Sequence, residues 1–180
     1  NNSSKVIRLT YIDDVVNEII RLLQQKVNGF SRMSVEPEYS ITLGMLGEQI
    51  KSFKNSRTSL ISEPVGTGLI RALYSTYVSY LSSDNFSYML PENIDERGKF
   101  VEILKTTNCG QFSFFTAHPG ITRGGHYHHT KTEKFLVIKG SAHFKFRNII
   151  TNETHELFTS EDEFRVVETV PGWPHDITNI

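Results

Sequence analysis

The chain has 180 residues, 38% hydrophobic and 22% charged, with a formal net charge of −1. These values fit one globular domain, or one domain plus part of another, and supply no basic field for nucleic acid or an anionic membrane surface. No apolar run approaches the roughly 20 residues a membrane span needs, and the polar start from Asn1 to Ser4 has no apolar segment of a secretory signal behind it. The one cysteine, Cys109, cannot form an internal disulfide and suits a reducing compartment, so a cytoplasmic location is expected. The chain does not begin with Met, which fits a piece of something longer.

Residues 1–65 alternate strand and helix signals. "KVIRLTY" is an apolar, β-branched run. Asp13 or Asp14 can then N-cap a helix through about Val27, with Val15, Val16, Ile19, Ile20, Leu22, Leu23 and Val27 as its apolar face. "EYSITL" reads as a second strand, and Thr42 can cap a helix carrying Leu43, Leu46, Ile50 and Phe53. "KNSRTSLISEPVGTG" has linker composition. Residues 66–85 then form a linker with a short helix, "LIRALYSTYVSYL", showing Leu69, Leu73, Tyr77 and Tyr80 on one face.

From residue 86 the period changes to two. "GKFVEILK", "GQFSFFTA", "EKFLVIKG", "SAHFKFRNII", "THELFTS" and "FRVVETV" are short strands divided by turn residues. Ala142, Phe144 and Phe146 should face one way, with His143, Lys145 and Arg147 facing the other. Such spacing implies a sandwich or small barrel. The fold class expected is α+β, an all-β C-terminal region preceded by an α/β fragment.

Within this region "GITRGGHYHHTKTEKFLVIKG" holds three of the seven histidines. His126 and His128 are two apart on a probable strand, so both side chains face the same way. Glu133 begins the next strand, and "PGWPHDITN" presents His175 after a Pro/Gly turn. Three imidazoles and one carboxylate make a mixed nitrogen and oxygen donor set suited to Zn, Mn, Fe or Ni, with positions left open for a substrate. His118, His143 and His155 read as ordinary strand or surface histidines.

Gly120, His126, His128, Glu133 and Gly140 match the first cupin motif without a gap, and Pro171, Gly172, His175 and Asn179 match the second in part. By this pattern the chain is identified as a member of the cupins. The resemblance implies a double-stranded β-helix over 86–180 with His126, His128, Glu133 and His175 as metal ligands, and a barrel lacking its last strands at Ile180.

Asp95, Arg97, Gly98, Phe100 and Glu102, with Gln111, Gly120, Arg123, Gly124 and His126, resemble the signatures of deoxysugar nucleotide 3,5-epimerases. Arg97 and Arg123 are therefore candidates for holding a diphosphate, the alternative for Asp95 and Arg97 being a structural ion pair. "RLTYIDDVVNEIIRLL" and "YSITLGMLGEQI" look like the C-terminal part of an extended short-chain dehydrogenase/reductase acting on nucleotide sugars. The combination resembles a bifunctional capsular polysaccharide enzyme family on the route to UDP-N-acetyl-L-fucosamine. That resemblance implies a Zn cupin epimerising C3 of a UDP-4-keto-6-deoxy-N-acetylhexosamine, and a reductase using NADPH at C4. NADPH is expected only in the missing part of the reductase domain, because no Gly-x-x-Gly-x-x-Gly follows a strand. The Tyr-x-x-x-Lys match at Tyr127 and Lys131 lies inside the cupin motif, away from the helix that pair requires.

The two patterns conflict at His126, a base in one and a ligand in the other; ligation is favoured because the other three ligands are present. The base then falls to His129 or Tyr127. Trp173 is open between stacking on substrate and plugging the core, and Lys134 reads as a strand residue facing out. A UDP-sugar is the expected substrate and a homodimer the expected assembly. Rivals are a 4-keto to 3-keto isomerase, an Fe(II) cupin dioxygenase and a non-catalytic sugar-binding module; no DNA-binding helix pair points to a regulator.

Overall fold

The computed structural model describes residues 2–25 and 29–180. It divides into two compact units, Asn1–Met89 with Ile103–Phe112, and Leu90–Glu102 with Ser113–Ile180. No helix among the described residues is long and apolar enough to cross a membrane.

In the first unit, β1 (Val6–Thr10) pairs antiparallel with β2 (Glu38–Thr42), Val6 opposite Thr42. Helix α1 (Ile12–Gln24) begins earlier than the expected cap at Asp13 or Asp14: Tyr11, two residues before Asp13, is its N-cap, without a side-chain bond. Asp13 and Asp14 instead lie in the first turn, where carboxylates meet the positive end of the helix dipole. Val27, the expected last turn, lies outside the described residues.

Thr42 caps α2 (Leu43–Ser59) as expected, its hydroxyl accepting from the Met45 amide at 3.2 Å. The helix runs well into the stretch read as linker. It stops where Leu60 turns left-handed at φ 59°. Phe53, the one fully buried residue of α2, anchors the unit against Tyr74 and Tyr77 of α3 (Gly68–Ser79), with ring centroids 5.2 and 5.8 Å away. Tyr80, expected on the same face, lies past the helix end and is exposed.

In the second unit β3 (Asn93–Asp95), β4 (Gly98–Thr106) and β5 (Gly110–Phe115) form one sheet, parts of β4 and β5 belonging to the first unit. β6 (Thr122–His126), β11 (His175–Asn179), β8 (Ser141–Arg147) and β9 (Thr154–Ser160) form a second, in that order. β7 (Lys134–Leu136) pairs with β10 (Val166–Glu168). The β3–β4, β6–β11, β11–β8, β8–β9 and β7–β10 pairs are each antiparallel. The alternation expected on β8 holds: Ala142, Phe144 and Phe146 are buried and join Val167 and Ile177 in the core, with Phe115, Phe135, Val137, Leu157 and Trp173 packed around them. Sheets meet where Phe135 of β7 approaches Phe144 of β8, at 6.0 Å between centroids. Two strands are shorter than their apolar runs suggest. β7 and β10 pair over only three positions each, because a ladder extends only as far as its partner runs alongside.

Candidate metal centre

His126 ends β6, while His128 lies just beyond it and Glu133 one residue before β7, so neither is on a strand as expected. The three still converge, each offering one ligand atom within 4.8 Å of the others. Pairing of β6 with β11 then brings in His175, placed directly opposite His126. The His126 ring lies 4.9 Å from His128 and 5.1 Å from His175. Glu133 Oε2 is 3.2 Å from His128 Nε2 and 3.6 Å from His175 Nε2.

These spacings fit a metal ion. Donors bonded at roughly 2.0–2.2 Å to one ion, at 90–109° to each other, lie about 2.8–3.6 Å apart. The donors are unequal in access: His126 is exposed, His128 and Glu133 are half-buried, and His175 is buried at the floor. An open rim over a buried floor leaves a side for a ligand to enter.

Several neighbours hold the donors. The Glu133 amide donates to Thr169 Oγ1 at 2.7 Å, and the Thr169 amide to the Glu133 carbonyl at 2.9 Å. Lys131 Nζ donates to Glu133 Oε1 at 2.7 Å, leaving Oε2 toward the histidines. The His128 carbonyl accepts from Gly172 at 3.1 Å, tying the loop after β6 to the Pro171–Gly172 turn. Below, Phe135 and Phe146 sit 6.0 and 6.2 Å from the His175 ring. Burial, then the neighbouring His126, pushes the His175 imidazole below its usual range, which favours the neutral form a metal requires. Burial pushes the Glu133 carboxyl up, but Lys131 and His128 together outweigh it and hold the carboxyl low.

A second cluster lies in the same unit. Arg97 donates through Nε and Nη2 to Asp95 Oδ2 at 2.9 and 2.6 Å, so the ion pair weighed for these two residues forms. Arg97 keeps the Asp95 carboxyl below its usual range. Arg123 is different. Its Cζ stands 5.4 Å over the Phe115 ring, Nη2 is 3.6 Å from Asp95 Oδ1, and the buried Nε and Nη2 have no hydrogen-bond partner. Of the two arginines, Arg123 is the one with donors to spare for an anion.

The remaining candidates scatter. Tyr127 and His129 pack on each other, 5.2 Å between centroids, and His129 is not among the clustered donors. Tyr127 and Lys131 sit in the loop between β6 and β7, off any helix. Trp173 packs against the core, and Lys134 bonds Glu168 at 2.7 Å. Thr169 reaches Glu133 by extending the β7–β10 pairing, and Phe115 reaches Arg123 by packing from another sheet, neither of which leaves a local pattern in the sequence.

Known proteins share this chain's features. Residues 93–180 match the family described as "Polysaccharide biosynthesis C-terminal domain". The whole chain is 59% identical to 48% of the UDP-2-acetamido-2,6-beta-L-arabino-hexul-4-ose reductase of Pseudomonas aeruginosa. It superposes at a TM-score of 0.91, with 38% identity, on 49% of the capsular polysaccharide assembling protein CapF from Staphylococcus aureus. A structure of CapF with the inhibitor 3-isopropenyl-tropolone gives the same TM-score and identity, covering 99% of this chain and 52% of that one. The chain thus spans about half the length of the relatives it matches.

Proposed function

We propose that the second unit is a metal-binding cupin that epimerises C3 of a UDP-4-keto-6-deoxy-N-acetylhexosamine, and that a longer protein couples this to NADPH reduction at C4. The observation that carries the reading is the clustering of His126, His128 and Glu133, with His175 of β11 5.1 Å from the His126 ring and 3.6 Å from Glu133 Oε2. The similarities support a protein of capsular polysaccharide or nucleotide-sugar biosynthesis. The Pseudomonas relative is named for reduction of a hexul-4-ose, a sugar whose ketone acidifies the neighbouring C3–H.

Abstracting that proton at neutral pH faces a gap on the order of ten pKa units, or roughly 14 kcal/mol. General-base catalysis typically supplies about 10²–10⁴-fold, less than half of this. A divalent ion, zinc first among Zn, Mn, Fe and Ni, would supply a Lewis acid for charge developing on the substrate oxygens. His126, His128, Glu133 and His175 would hold it. Thr169 and Lys131 keep Glu133 in place for that task. Arg123 offers its spare donors to the diphosphate, and the Asp95 carboxylate keeps its guanidinium near Phe115. A ligating His126 nitrogen has no lone pair free for the proton, which leaves His129 or Tyr127 as the base. The active species is a homodimer, and a cytoplasmic location suits a nucleotide-sugar substrate.

The test is exchange of the C3 proton of a UDP-4-keto-6-deoxy sugar in heavy water. The full-length protein should exchange it, and His128→Ala should abolish exchange. No exchange in the unaltered protein would refute the epimerase reading. Oxygen uptake with bound iron would support the dioxygenase instead.

A further inference from the structure

Arg123 and His126 are three residues apart on β6. On a regular strand, residues three apart point to opposite faces. Here they share one. Arg123 pairs directly with Ile177 and His126 directly with His175. Ile177 and His175, two apart on β11, are both buried and face the core. The parity is restored by a bulge: the register passes from His126 opposite His175 to Gly124 opposite Asp176, leaving Gly125 without a partner. Without that extra residue, position 125 would stand opposite His175 and the His126 ring would leave the donor cluster, since a one-residue slip reverses every side chain.

We infer that the Gly124–Gly125 bulge is a positioning element that brings the Arg123 and His126 side chains to one face of the sheet. This rests on the metal-binding reading above for its ligand, though not for its geometry. Both glycines are required by backbone rather than by composition. Gly125 has φ +77°, and a Cβ there would meet only Asp176 Oδ1, at 3.6 Å. Space is available, but the left-handed conformation admits Gly and Asn far more readily than a β-branched residue. Gly124 has φ +111°, and a Cβ would come within 2.4 Å of the His175 carbonyl oxygen, so the β6–β11 approach itself excludes a side chain. Bulges recur where a strand must re-aim a side chain beside a functional site.

The test titrates the whole protein with cobalt chloride, following the visible absorption of the bound ion, with circular dichroism as the check on folding. Gly125→Asn should bind within about three-fold of the unaltered protein, and Gly125→Val at least ten-fold more weakly while still folded. A merely structural role is separated by adding Gly125→Val to His126→Ala. If the bulge acts through His126, the double variant binds no more weakly than His126→Ala alone; full additivity would overturn the inference. Should Gly125→Val fail to fold, Gly125→Ala in the same cycle gives the same comparison. If the unaltered protein takes up no cobalt, the metal reading falls, and the inference is decided by ring-proton nuclear Overhauser contacts. Those between His126 and His175 should be present in the unaltered protein and in Gly125→Asn. Their survival in Gly125→Val would contradict it.

Discussion

Replacing Thr169 by Val keeps the shape of a buried side chain and removes the oxygen that receives the Glu133 amide at 2.7 Å. A buried donor left without a partner costs about 1–3 kcal/mol. The added methyl returns about 0.8 kcal/mol through burial. Thr169 is 3% exposed, so the middle of the range applies, and the net loss is about 1 kcal/mol. At a urea slope of about 2 kcal/mol per molar, the midpoint falls by about 0.5 M. Trp173, the chain's single tryptophan, packs on the core of the same unit and reports the transition by fluorescence. Thr169→Ser also loses about 0.8 kcal/mol, for the missing methyl, so stability alone does not separate the two. Zinc affinity does. Serine retains the bond and should bind zinc normally, whereas valine leaves the Glu133 amide without its side-chain partner and should weaken zinc several-fold in competition with a chromophoric chelator. Equal zinc affinity for the two variants would refute the claim that Thr169 positions the ligand.

Phe144→Ala should cost about 3–5 kcal/mol in urea unfolding, because the ring is 1% exposed and sits against Phe135 beneath His175. Arg123→Met should raise KM for the UDP-sugar at least ten-fold with zinc content unchanged, as measured by steady-state kinetics and metal analysis. Arg97 lowers the Asp95 pKa in the fold, so the carboxylate contributes stability that is present above its unfolded value near 3.9 and lost as pH falls through the lower folded value. Carboxyl NMR titration should place Asp95 below about 3.9, and Arg97→Met should move it back up.

Local patterns carried most of what the sequence could disclose. Thr42 caps its helix because a hydroxyl three residues before an amide needs nothing distant. The donors His126, His128 and Glu133 are close in the chain, and loop geometry suffices to gather them even though two lie off the strands expected for them. His175 joins through the register of β11, which the second motif signals only because its spacing is shared by a family. What escaped notice depends on partners. Residues Lys54–Ser59 look like linker by composition, yet α2 continues through them until Leu60. Thr169 reaches Glu133 across 36 residues of sequence. The arginine and histidine of the "RGGH" stretch are legible in the sequence, but the bulge its glycines form is meaningful only beside the facing strand.

The most direct measurement is anomalous diffraction at the zinc edge on crystals of the full-length protein purified without chelator. One ion per chain is predicted, bonded to nitrogens of His126, His128 and His175 and to a Glu133 oxygen, with a remaining position facing the open rim. Density for an ion held elsewhere, or four side chains with none between them in zinc-replete protein, would contradict the account.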